Sequence, residues 1–358
     1  LTIETTIDSK AQQRLYDIVN TNDYIQYVNE KIQNAVVMLD TKTGAVRAVN
    51  GGRKQTTLLG YNRATDNTRS TGSTIKPVID YGPAIEYLNY STGQTIMDQR
   101  TTYSNGVELN NWDFSHKGAM TLRTALVYSR NTTALQTFKA VGETNIKSFL
   151  NNLDIQIKND GQDYLVESNS IGADISPIKM AAAYAAFGNY GTYSKPYTVT
   201  KVTTRDGQVT EFKPEQKQAM KDSTAYMITD VLKDSFKYGF ATQASIPGLP
   251  TAAKTGSSNY TVEQKRAMGA SDYEDIIPDS WFIGYSTDYT ISAWTGYDNP
   301  YEKGGGVDTT EQEYSRLIYY YLMKYMAESS SGDDWVQPDS VVKQQIEIGS
   351  NPLSLPGP

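Results

Sequence analysis

The chain has 358 residues, with 33 Lys plus Arg against 40 Asp plus Glu, one histidine and no cysteine. Without cysteine there is no disulfide framework, zinc–thiolate site or thiolate nucleophile, and the lone His116 excludes a multi-histidine metal centre. The net charge of −7 argues against a nucleic-acid surface, and the longest apolar run, Met180 to Phe187, is far too short to span a membrane. Any proton chemistry must therefore run on something other than histidine or thiolate, with no metal or cofactor expected.

Ala11, Leu15, Ile18 and Val19 recur at helical spacing and predict a helix over 8–20. Two apolar runs, Ala35 to Leu39 and Ala45 to Val49, flank Asp40-Thr41-Lys42-Thr43-Gly44 and predict a β-hairpin. A helix is expected from Ser73 towards Leu88, disturbed by Pro77, Gly82 and Pro83. Residues 121–128, 131–141 and 143–153 read as helices, interrupted at Ser129-Arg130-Asn131. Ser176-Pro177 has the form of an N-cap followed by proline, opening an alanine-rich helix over 177–187. Thr198 to Thr204 and Gln208 to Phe212 make a second hairpin, residues 222–237 a helix, and Thr251 to Gly256 a strand of small residues. Ser280 to Tyr285 and Tyr289 to Thr295 make a third hairpin, followed by a helix over 311–327 and a tail rich in Ser, Gly and Pro. Helices lying between early and late antiparallel strands predict an α/β fold whose single sheet is contributed by both chain ends.

Ser-x-x-Lys on a helix puts a serine and a lysine on one face, where a partly neutral amine can activate the hydroxyl. The motif is cheap and occurs three times, at Ser73/Lys76, Ser176/Lys179 and Ser340/Lys343. Ser176 reads as a helix cap, and Ser340 lies in the tail. Ser-x-Asn occurs at Ser129-Arg130-Asn131 and at Ser257-Ser258-Asn259. Lys-Thr-Gly occurs at Lys42-Thr43-Gly44, inside a predicted turn, and at Lys254-Thr255-Gly256, on the small-residue strand. Only Ser73, Ser129 and Lys254 give the order Ser-x-x-Lys, Ser-x-Asn, Lys-Thr-Gly at domain-scale spacing, and the ordered triple is far more specific than its parts.

That triple is the serine/lysine set of penicillin-binding proteins and class A β-lactamases. The stretches Asn62-Arg63-Ala64-Thr65, Arg69 to Pro77, Gly118 to Leu126, Pro278 to Tyr285 and Trp294 to Asp298 resemble the transpeptidase domain of class A, bifunctional, penicillin-binding proteins. The style is similar to Gram-positive, streptococcal members. The resemblance covers roughly 1–328 and departs mildly at Ile75 and Ser257, both of which keep the expected character. It implies a serine β-lactamase/DD-peptidase-like fold, with one antiparallel five-stranded sheet flanked by helices and a mostly helical subdomain. Expected domains are an interdomain linker at 1–34, the transpeptidase domain at 35–328 and a tail or small add-on at 329–358. A glycosyltransferase domain and an N-terminal transmembrane anchor are expected to precede this chain in its parent protein, on the extracellular face of the membrane.

The resemblance implies that Ser73 attacks a D-Ala-D-Ala stem peptide, while Lys76 serves as base, its pKa depressed by burial and by Lys254. Asn131 would hold Lys76 and the substrate amide, and Ser129 would relay a proton to the leaving D-alanine. The backbone N–H groups of Ser73 and Ser257 would form the oxyanion hole. Lys254, Thr255, Gly256 and Ser257 would hold the donor carboxylate. Trp112 has two readings, a substrate contact at the cleft mouth or ordinary packing. His116 reads as a solvated loop residue. Expected partners are stem peptides as donor and amine acceptor, β-lactam antibiotics and other cell-wall synthesis proteins, with the chain itself monomeric. Rival readings are a D,D-carboxypeptidase, a non-catalytic penicillin sensor and a β-lactamase. The last lacks a Glu-x-x-Leu-Asn between Ser129 and Lys254; the look-alike Glu86-Tyr87-Leu88-Asn89 precedes Ser129.

Overall fold

The computed structural model describes residues 1–356. Its centre is an antiparallel five-stranded sheet built from β1 (Gln33–Asp40), β2 (Val46–Asn50), β3 (Ala252–Ser257), β4 (Asp279–Tyr285) and β5 (Tyr289–Gly296). The spatial order is β3-β4-β5-β1-β2, so the early hairpin pairs with the late one and both chain ends feed one sheet. The predicted hairpin at 198–212 forms outside this sheet. Its strand Val199–Thr203 pairs with Thr2–Thr5 and with Val209–Glu211.

Period-two alternation splits the core between the two faces. Ala35, Val37, Leu39, Trp281, Ile283, Tyr285 and Trp294 pack on the front, against helix Pro177–Gly188 and the helices around Ser73. Val36, Met38, Phe282, Ile291 and Ala293 pack on the back, under helices Ser9–Asn20 and Tyr314–Ala327. Both faces are covered, which explains why β1 and β4 read as continuous apolar runs. The segment expected as a linker thus supplies a helix to the back layer, capped by Asp8 through Lys10 and Ala11 N–H groups.

The helix expected from Ser73 to Leu88 forms in three pieces. A 3-10 turn, Gly72–Ile75, leads into a π-helical turn, Pro77–Tyr81, and then an α-helix, Gly82–Leu88. Pro77 and Pro83 each lack an N–H, so regular i→i−4 bonding cannot run through. Gly82 N–H bonds Pro77 O instead, and a Cβ at Gly82 would sit 2.5 Å from that oxygen. The helix expected over 222–237 ends at Lys233 and tightens into a 3-10 turn, Asp234–Phe236.

The tail after Ser329 has no helix or strand among its described residues, yet it is anchored. Trp335 is buried, donates to Gly188 O at 2.8 Å and stands edge-on to Tyr285 at 5.5 Å. Further along, Thr95 Oγ1 donates to Ser350 O at 2.7 Å, tying the tail to the helical side. Trp335→Ala is expected to cost roughly 3 kcal/mol of unfolding free energy, the usual penalty for truncating a buried tryptophan. Urea unfolding midpoints check this, and an unchanged midpoint means the tail contributes nothing to stability.

Candidate active site

The three pieces of the ordered triple converge where the front helices meet the edge strand β3. The turn at Gly72–Ile75 and the end of β3 touch backbone to backbone. A Cβ on Gly256 would lie 2.6 Å from Thr71 O, and one on Gly72, whose φ is +50°, 2.2 Å from Ser257 O. Glycine at both positions is what lets Ser73 and Ser257 come side by side. Arg69 pairs with Asp279 at 3.0 Å, and Trp281 Nε1 donates to Ser70 O at 2.9 Å, fastening β4 to the approach to Ser73.

Ser73 is half-buried and lines an open cleft of about 940 Å³ together with Ser129, Asn131, Thr255, Gly256 and Ser257. Lys76 is fully buried beneath it. Its Nζ donates to Ser129 O at 2.8 Å, to Asn131 Oδ1 at 2.7 Å and lies 3.2 Å from Ser129 Oγ. Lys254 Nζ reaches the same hydroxyl from the other side at 2.9 Å, and donates to Thr255 O at 2.9 Å. Ser129 Oγ therefore sits between two buried amines.

Burial first, then the neighbouring Lys254 charge, holds the Lys76 pKa well below that of a free lysine; Arg130 acts in the same sense and Asp80 opposes. Asp80 cannot act as a full counter-ion. It is wholly buried, neither carboxyl oxygen has a hydrogen-bond partner, and burial drives its pKa well above the carboxylate range. Burial also lowers Lys254, to about 7. The two amines share one hydroxyl, and both are held below the pKa of a free lysine.

Register decides which way β3 presents its side chains. Lys254 faces Ile283 and points to the front, whereas Thr255 and Ser257 lie opposite Phe282 and Ser280, on the other face at the sheet edge. Trp112 stands at the mouth, 55% exposed, with Nε1 donating to Tyr128 O at 3.0 Å. Its ring meets Phe240 edge-on at 5.4 Å, closing the aromatic lip from the opposite side. No periodicity or motif marks Phe240 in the sequence, nor Asn110, whose carbonyl accepts from Asn131 Nδ2 at 2.8 Å.

The decoy motifs fall elsewhere. Ser176 occupies the N-cap position of Pro177–Gly188, although its side chain makes no capping bond. Ser340 donates to Asp222 at 2.7 Å in the tail. Lys42-Thr43-Gly44 is the β1–β2 turn, where Asp40 Oδ1 accepts from the N–H groups of Lys42 and Thr43. Glu86 accepts from Lys221 N–H and Thr224, at the start of helix Asp222–Lys233. His116 is exposed in its loop, as expected, with Nδ1 3.8 Å from the buried Asp98. Among the described residues no cluster of His, Cys, Asp and Glu has metal-binding geometry.

Fold and cleft together bring the serine and lysine residues of the ordered triple to one place. Residues 34–320 match the family described as penicillin binding protein transpeptidase domain, and the chain belongs to that family. It is 40% identical to penicillin-binding protein 1A/1B of Bacillus subtilis over 100% of this chain, and 38% identical to penicillin-binding protein 1A of Streptococcus pneumoniae over 95% of it. It spans only 39% and 48% of those relatives. The PonA1 protein of Mycobacterium tuberculosis, solved in complex with penicillin V, shares the fold with a TM-score of 0.80 at 22% identity, covering 100% of this chain and 92% of that one. No helix among the described residues is long and apolar enough to cross a membrane.

Proposed function

We propose that the chain is the D,D-transpeptidase unit of a bifunctional cell-wall synthase, crosslinking stem peptides through an acyl-enzyme on Ser73. The observation that carries this reading is the convergence of Lys76 and Lys254 on Ser129 Oγ, beside a cleft that holds Ser73. As Ser73 Oγ attacks the carbonyl between the two terminal D-alanines, its proton passes to the free amine of Lys76. The oxyanion is received by the N–H groups of Ser73 and Ser257, each donor typically worth roughly 3 kcal/mol. The amide C–N bond then breaks. Ser129 gives its proton to the departing D-alanine amine and is refilled from the Lys76 ammonium, 3.2 Å away. An amine on a second stem peptide attacks the acyl carbon and gives up a proton to the Lys76 amine; the ester C–O bond breaks as the new amide forms, and that proton passes to Ser73 Oγ, which is released as the hydroxyl. Lys254, with Thr255 and Ser257 at the strand edge, holds the donor's carboxylate, and Trp112 lines the mouth. β-Lactams acylate the same serine as mimics of the donor. The parent protein carries a glycosyltransferase domain and a membrane anchor, and works with other cell-wall synthesis proteins outside the membrane.

Incubation with a D-Ala-D-Ala stem peptide and an amine acceptor tests this reading by product mass. A crosslinked product is expected; release of D-alanine without crosslinking makes the enzyme a carboxypeptidase, and a stable acyl-enzyme with no turnover makes it a sensor.

The two amines also predict a pH dependence. Acylation needs Lys76 as free base and Lys254 as ammonium. Lys254, near 7, loses its charge as pH rises through that value, while Lys76, held well below a free lysine by burial and by the Lys254 charge, takes up a proton as pH falls. The second-order acylation rate by penicillin V is therefore expected to be bell-shaped, falling on the alkaline side from about pH 7 because the carboxylate contact weakens. A rate that is flat between roughly pH 6 and 9 removes Lys254 from carboxylate binding.

A further inference from the structure

Ser129 adopts a left-handed backbone, φ +53°, in a residue that carries a Cβ. Such a conformation is disfavoured for a residue with a Cβ and persists only where its surroundings impose it. The three residues that follow are all tied to one buried carboxylate in the strand Thr95–Asp98. Arg130 Nε donates to Asp98 Oδ2 at 2.9 Å. Thr132 Oγ1 donates to Asp98 Oδ1 at 2.6 Å. Asn131 N–H donates to Asn111 Oδ1 at 2.8 Å, and Asn111 Nδ2 donates to Asp98 Oδ1 at 2.7 Å. Lys117 N–H supplies a fourth bond to the carboxylate, at 2.9 Å. The far end of Arg130 is fixed as well, with Nη1 3.0 Å from Asp113 Oδ1 and Nη2 donating to Ser115 O at 2.6 Å.

Asp98 is 0% exposed and Arg130 2%, so this is a buried ion pair with its hydrogen-bonding capacity filled. Burial acts to raise the Asp98 pKa, but the Thr132, Asn111 and Lys117 bonds and the Arg130 charge outweigh it and hold the carboxyl ionised. Buried pairs of this kind contribute little net stability against an apolar replacement; what they supply is a fixed geometry. The geometry fixed here belongs to the two acceptors that grip Lys76, Ser129 and Asn131.

We propose that Asp98 is a positioning residue of the transfer reaction, holding Ser129 and Asn131 in register with Lys76 through Arg130, Thr132 and Asn111. The proposal rests on the roles given above to Ser129 and Asn131. It assigns Asp98 no contact with substrate.

The test is acylation of the purified protein by penicillin V, resolved into the binding constant and the first-order acylation rate, with titration of active sites in each preparation. Asp98→Asn is expected to lower the acylation rate per titratable site on the order of 100-fold, the scale of an ångström-sized misplacement. The binding constant should change little. Arg130→Met should lose a similar factor, and the double variant no more than the worse single one, because both act through one contact. Thr132→Val removes one donor at constant volume and should cost several-fold, so the proposal stays testable if the charge variants do not fold. An unchanged rate per site in Asp98→Asn or Thr132→Val overturns the proposal, as does a loss confined to the titratable fraction. Asn131→Ala separates the two levels. If it acylates at the wild-type rate, the role given to Asn131 fails, whatever Asp98 does.

Discussion

Ser73→Ala is expected to abolish covalent labelling by penicillin, with no mass shift on the intact protein after prolonged incubation. Removing the nucleophile of an acyl-transfer enzyme typically costs on the order of 10⁶-fold. Nothing in the cleft is placed to replace it. Ser129 is the nearest rival, since its hydroxyl lies 2.9 Å from Lys254 Nζ and 3.2 Å from Lys76 Nζ. It is nonetheless 7% exposed and held in a left-handed turn, while the contact between the Gly72–Ile75 turn and β3 presents Ser73 and Ser257 together. The fold should be indifferent to the change: Ser73 is half-buried, and losing one hydroxyl there is worth within about 0.5 kcal/mol. Thermal midpoints with intact-protein mass spectrometry read both halves. Labelling of the variant at the native rate moves the nucleophile elsewhere.

How far the sequence alone carries is clearest from what surrounds this serine. The triple at Ser73, Ser129 and Lys254 is legible because its order and spacing carry a family resemblance, and Lys76 and Lys254 do converge on Ser129 Oγ. The sheet is legible for a similar reason: strands buried on both faces must be apolar throughout. The π-helical turn at Pro77–Tyr81 is only half legible, since the prolines announce a disturbance without specifying its form. Asp98 is not legible at all. It stands 32 residues before Arg130, in a four-residue strand, and nothing local distinguishes it from a surface aspartate. Phe240 and Trp335 fail for the same physical reason. Each owes its position to a long-range partner, Trp112 in one case and Gly188 with Tyr285 in the other. Residue type and spacing encode local geometry well; they encode a tertiary pairing only when a motif names both ends.

Lys76→Met is expected to slow acylation by roughly 10²–10⁴-fold, the usual contribution of a positioned general base. Methionine keeps the apolar stem packed and removes only the amine, so the variant separates proton transfer from packing. Two acceptors, Ser129 O and Asn131 Oδ1, lose their donor, at about 1–3 kcal/mol for each group left unsatisfied. Against this stands a gain that depends on pH. In the fold the Lys76 pKa lies well below that of a lysine in water, whereas the unfolded chain carries it as ammonium up to about pH 10.4. Between those values the unfolded state binds the extra proton. The penalty is largest at low pH and is relieved as pH rises, at up to about 1.4 kcal/mol per pH unit. Lys254, lowered by its own burial, contributes a slope of the same sign in both proteins. Within that window the wild type should therefore gain stability relative to Lys76→Met as pH rises, a trend read between about pH 7 and pH 9. Urea unfolding of both proteins at the two pH values measures that difference directly. If the two proteins show equal pH slopes, Lys76 is an ammonium in the folded state, and it cannot be the base that takes the proton from Ser73.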